Sequence, residues 1–236
     1  MIDVDLAARA SNSLLAAAIA DTRWLRADPD QPVLFEDAGR LSGSMWLALA
    51  TCEAIARSGG RLTASDTNRV IDEWRDQGRL PLHEVGLGVL AIQVAPLAFV
   101  LNVDDERDRD SLRALVTLTQ DDDLAQATAT AMLVAMRECL QRNRAPDLAV
   151  FAARHAIPPE LTRAIVLAGE HIDDLEAAIA DFAPPDDTRQ VACLTGLLLG
   201  AAGCEIPRQL ALHTPERAAI DAVVEPFAQL LAATAG

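Results

Sequence analysis

Lysine and tyrosine are absent from this 236-residue chain, and all 20 basic residues are arginine. The missing lysine excludes Schiff-base chemistry and a P-loop. Aromatics are scarce, five phenylalanines and three tryptophans, and alternating strand patterns are nearly absent. No run of about 18 uncharged apolar residues exists to cross a membrane. The opening residues, MIDVDLAARASN, are acidic where a signal peptide would be basic, so the expected location is the cytoplasm. Cys52, Cys139, Cys193 and Cys204 stand far apart without a C-x-x-C, which favours buried reduced thiols over disulfides or a zinc site.

What the chain has is apolar residues, 51% of the total, and acid: 35 Asp and Glu for a net charge of −15. This length and apolar content suit one globular domain, spanning 1–236. The charge argues against nucleic acid and anionic membranes, and predicts that a protein partner would present a basic or arginine-rich surface. Abundant alanine with arginine in place of lysine suggests a high-GC bacterial genome.

The expected fold class is all-α. Helical signals predict segments over 5–24, 42–57, 65–77, 86–101, 108–119, 122–141, 146–153, 158–167, 171–182, 188–203 and 215–232. Gly59 and Gly60 read as the end of the second helix, and Thr214, Pro215 and Glu216 as the start of the last. The acidic runs 104–110 and 121–123 read as solvated or helix-starting charges. Asp173 and Asp174, after His171, read as first-turn charges of a helix. The four histidines, His83, His155, His171 and His213, show no metal-ligand spacing and read as surface or capping residues.

The most informative stretch is 184–207, PPDDTRQVACLTGLLLGAAGCEIP. Two prolines block any helix before it, Asp186 or Asp187 can cap the free N–H groups that follow, and an apolar run carries the helix onward. Gly196, Gly200 and Gly203, four and three apart, share one face where another helix can approach closely. Asp186, Asp187 and Thr188 are open to two readings, a helix cap or part of a metal site.

The same stretch resembles the late motif of the ADP-ribosylglycohydrolase family of the dinitrogenase-reductase-activating type, a D-x-D-T start on a glycine-rich helix closed by I-P. Asp187, Thr188, Gly196, Gly200, Ala201, Gly203, Ile206 and Pro207 fall on that frame, with Pro185 in place of the first aspartate. Residues 88–96, GVLAIQVAP, resemble the family's N-G-x-x-M-R-x-x-P segment with Gln93 at the arginine. Residues 118–129, LTQDDDLAQATA, resemble L-T-H-x-x-x-x-A with Gln120 at the histidine. Residues 13–21, SLLAAAIAD, resemble a first helix that ends in G-D and keep only the acid, Asp21. Where the family has T-D-D-T, this chain reads Leu41, Ser42, Gly43 and Ser44.

The resemblance implies a multi-helix shell of the ADP-ribosylglycohydrolase type and, in active members, one or two Mg²⁺ ions that orient a ribose and place a water. Three of the implied metal-binding carboxylates are missing here, leaving Asp187 and Thr188 as residual metal positions beside the Ser44 hydroxyl. A hard dication wants about six oxygen ligands, so the expectation is that no cofactor is bound. The expected function is that of a pseudoenzyme acting by binding, in a regulatory or immunity-type role, with Ser42, Ser44, Gln93 and Gln120 at the ligand and an ADP-ribose-like molecule as that ligand. The alternative is an active or repurposed hydrolase, Mg²⁺-dependent, in which Glu36, Asp37 and Asp186 are the candidate acids and cleave ADP-ribosyl N- or O-glycosidic bonds.

Overall fold

A computed structural model describes residues 5–27, 40–80, 86–117, 120, 122–182 and 188–234. The described residues form helices joined by turns and contain no strand, which places the chain in the all-α class. Twelve α-helices follow in order: α1 (Leu6–Ala27), α2 (Gly43–Arg57), α3 (Ala64–Asp76), α4 (Leu87–Val94), α5 (Glu106–Thr117), α6 (Asp123–Arg142), α7 (Leu148–Ala152), α8 (Pro159–Glu170), α9 (Leu175–Ala180), α10 (Arg189–Ala202), α11 (Arg208–Leu212) and α12 (Arg217–Thr234).

The centre is an antiparallel pair, α1 against α10. Every residue of α10 from Val191 to Ala202 is buried. The glycine face does what its spacing predicts. A Cβ on Gly196 would stand 2.5 Å from the Ala16 carbonyl oxygen, and one on Gly200 would stand 2.4 Å from Ser13 Cα. The two backbones thus touch where side chains are missing, and the Ser13 hydroxyl donates to the Leu197 carbonyl at 2.7 Å across the seam. Gly203 ends α10 in the left-handed conformation, φ 94°. Around this pair α12 packs on α1, while α4, α6 and α8 pack on α10; α2 lies between α12 and α4 and carries α3 on its outside. Trp74 of α3 meets Trp46 of α2 edge to face, with Arg79 stacked 3.9 Å over the Trp74 ring.

Local chemistry sets the helix ends. Ser42, Thr63, Asp122, Asp147, Asp174 and Thr188 each accept a backbone N–H in the first turn of the helix they start. Gly59 and Gly60 follow α2 with φ of 63° and 85°, as expected of its end.

Four expectations are corrected. The predicted helix over 86–101 breaks at Ala95 into a 3₁₀ turn, Ala95–Phe99, because Pro96 has no N–H to continue the α-helical ladder. The segment 171–182 is helical only from Leu175: His171 ends α8, and Asp174, not a first-turn charge, is the N-cap of α9. Thr214 does not cap the last helix, since its hydroxyl donates back to the Leu210 carbonyl at 2.8 Å and α12 starts at Arg217. The short α11 was not expected.

All four cysteines are free and buried. No helix among the described residues is long and apolar enough to cross a membrane.

Candidate functional site

Helix N-termini expose unpaired N–H groups and a partial positive charge, and four of them converge at one end of the α1/α10 pair. Gly88, in the first turn of α4, lies against Gln190 of α10 and Glu160 of α8: a Cβ there would stand 3.3 Å from side-chain carbons of both. The N-termini of α2 and α10 are joined by Asp21, which α1 carries into the same place.

Asp21 is fully buried, 0% exposed. Its Oδ1 accepts from Arg189 Nε at 2.9 Å and its Oδ2 from Arg189 Nη2 at 3.2 Å, a two-point pair between a carboxylate and a guanidinium. Oδ2 also accepts the Ser42 backbone N–H at 2.7 Å. Arg189 is the first residue of α10, and its Nη2 bonds the Arg40 carbonyl as well. One guanidinium therefore fastens the end of α1 and the approach to α2 onto the start of α10. Burial pushes the Asp21 carboxyl up from its ordinary value, opposed by the Arg189 charge and by hydrogen bonds from Ser42 and Arg189.

Next to the ion pair stand the two serines. Ser42 Oγ lies 3.0 Å from Ser44 Oγ and accepts the Met45 N–H at 3.2 Å as the cap of α2. Thr188 Oγ1 accepts the Val191 N–H at 3.3 Å and so caps α10. Behind the cluster, Glu216 in a left-handed conformation, φ 56°, takes the Leu41 N–H on its carboxylate at 2.9 Å.

Ser42, Ser44 and Thr188 thus gather near one charged pair, at the N-termini of α2 and α10. Gln93 is buried in α4, 2% exposed. The Gln120 amide donates to Asp122 Oδ2 at 2.8 Å, at the start of α6. Glu36, Asp37, Asp186 and Asp187 lie outside the described residues.

Sequence reasoning missed Arg189 as a functional residue. The signal was present: it is the only arginine between Arg163 and Arg208, and it follows Thr188 directly in the most informative stretch. Missed too was a cluster of Glu170, His171 and Asp181, whose ligand atoms lie within 4.8 Å of one another; His171 Nε2 is 3.3 Å from Asp181 Oδ2.

The described donors do not form a cage for a hard dication. Both oxygens of Asp21 face a guanidinium, and the Ser42 and Thr188 hydroxyls already accept backbone N–H groups. Two unit charges 4 Å apart at a partly wet site interact by about 4 kcal/mol. A dication on Asp21 would meet the Arg189 cation with roughly twice that repulsion.

No family model matches the sequence, and no curated protein matches it significantly.

Proposed function

We propose that this chain is a non-hydrolytic relative of the ADP-ribosylglycohydrolases, in which an internal guanidinium has taken the place of catalytic metal and the protein acts by binding. The observation that carries this reading is the Asp21–Arg189 pair, set among the residues the resemblance points to. Paired with Asp21, the guanidinium offers a ligand its remaining N–H donors and little net charge, which suits holding a hydroxyl-rich or anionic ligand by hydrogen bonds. It has no open coordination position and cannot lower the pKa of a water as a bound metal does. Four converging helix N-termini further favour a ligand of negative charge. An ADP-ribose-like molecule, free or carried on a protein, combines phosphates with ribose hydroxyls and suits such a place. A regulatory or immunity-type role follows if the ligand is held and not cleaved.

Release of free ADP-ribose from ADP-ribosylated arginine and serine proteins tests this, with Mg²⁺, Mn²⁺ or chelator present and direct titration of ADP-ribose beside it. The expected result is no turnover under any condition, with saturable ADP-ribose binding that weakens in an Arg189→Met protein. Metal-dependent release on the order of one per second would overturn the reading in favour of a hydrolase.

A further inference from the structure

A second cleft lies where α5 and α6 meet the turn after α7. A cleft of about 270 Å³ opens there, lined by Arg109, Arg113, Gln126, Thr130, Arg154 and His155 over an apolar floor that includes Leu112. In a chain with 35 acidic residues against 20 arginines, this lining holds three guanidinium groups and no carboxylate. That inversion of the overall charge is what needs explaining.

The three arginines are poorly neutralised. Arg109 donates to the Val103 carbonyl at 3.2 Å, a neutral acceptor. Arg113 reaches Asp110 at 3.5 Å, with both side chains largely in solvent, a pair of little strength. Arg154 makes no ion pair among the described residues. The cleft is also held in shape: Gln126 Nε2 donates to the Arg113 carbonyl at 3.1 Å and ties α5 to α6, and His155 packs on Phe151 with ring centroids 4.7 Å apart. Guanidinium forks match phosphate oxygens in geometry as well as charge, and arginine gathers where planar two-point recognition of phosphate is needed.

We propose that this cleft binds a phosphate group, with Arg109, Arg113 and Arg154 as its ligands. The apolar floor and a volume well above that of one phosphate ion favour a small phosphomonoester over inorganic phosphate. The site is separate from the Asp21–Arg189 cluster, and it stands or falls independently of the function proposed there.

Titration calorimetry with inorganic phosphate, glycerol 3-phosphate, ribose 5-phosphate and neutral ribose tests this on the wild-type protein, on Arg113→Gln and on Arg154→Gln. Both arginines are solvent-exposed, so the variants are expected to fold as the wild type does; a thermal melt checks this. The expected result is saturable, salt-sensitive binding of the phosphomonoesters, tighter than inorganic phosphate and absent for ribose, that weakens about tenfold or more in each variant. Tighter binding of inorganic phosphate would keep the site but reverse the preference for an ester. No saturable binding of any phosphate probe up to about 10 mM, a free energy of under about 3 kcal/mol, would overturn the proposal. So would binding that both folded variants retain in full.

Discussion

Replacing Arg189 with methionine keeps a long side chain on α10 but removes the charge that faces Asp21. Asp21 is fully buried, whereas the Arg189 side chain is one-fifth exposed. The damage therefore falls on the aspartate, which is left with hydrogen bonds from Ser42 and no opposite charge. Breaking a buried pair from one side costs about 3–5 kcal/mol. The cost must also depend on pH, and its sign follows from the direction of the Asp21 shift. A carboxyl whose native pKa stands above its unfolded value binds its proton more tightly when folded. The stability this gives is complete below the ordinary value of 3.8 and is lost as pH rises through the native value.

Removing Arg189 deletes the strongest opposing influence, so the native value climbs further and the window of loss extends upward. Within that window the variant loses up to about 1.4 kcal/mol per pH unit. Urea denaturation of wild type and Arg189→Met at about pH 5 and about pH 7.5 reads this directly, because titrations elsewhere in the chain largely cancel in the difference. The destabilisation should be larger at about pH 7.5 than at about pH 5, by up to about 1.4 kcal/mol for each pH unit between the two native values. The double variant Asp21→Asn with Arg189→Met should recover most of it. A penalty below about 1 kcal/mol, or one that does not change with pH, would refute the claim that the guanidinium neutralises a buried carboxylate.

Gly200→Ala should be among the most harmful small substitutions, since the new methyl would fall 2.4 Å from Ser13 Cα and only backbone movement could relieve it. A loss of about 3 kcal/mol or more in chemical denaturation is expected, and a neutral result would contradict the close α1/α10 seam. Thr128→Val should be neutral or stabilising by about 1 kcal/mol, because the buried Thr128 hydroxyl has no hydrogen-bond partner among the described residues; a large loss of melting temperature would mean that the hydroxyl is in use. The four buried cysteines should resist a thiol reagent in the native protein and react together on unfolding, as burial raises the Cys52, Cys139 and Cys204 thiols above their ordinary values. Rapid labelling of any one of them under native conditions would contradict the packing.

Much of the architecture is legible in residue order because local rules fix it. The capping residues Ser42, Asp122 and Thr188 lie within three positions of the N–H groups they serve, and the Gly196 and Gly200 face declares a close helix contact by spacing alone. The break at Ala95 was legible as well, since Pro96 cannot continue the ladder, but apolar periodicity on both sides masked it. The candidate site was only half visible. Ser42, Ser44 and Thr188 stand out through what they replace or retain, whereas Asp21 and Arg189 are 168 positions apart and meet only because α1 and α10 run antiparallel. A lone acid at the end of an apolar helix needs a partner, and nothing local says which arginine supplies it.

The central claim is that Arg189 stands where a catalytic cation would be needed. Electron paramagnetic resonance of free Mn²⁺, titrated into metal-stripped protein, tests it most directly. The account predicts that wild-type protein at about 0.1 mM leaves the free-ion signal unchanged or shows only weak loss that Asp187→Ala does not alter. Saturable loss of one or two equivalents of Mn²⁺, abolished by Asp187→Ala in a folded protein, would contradict it.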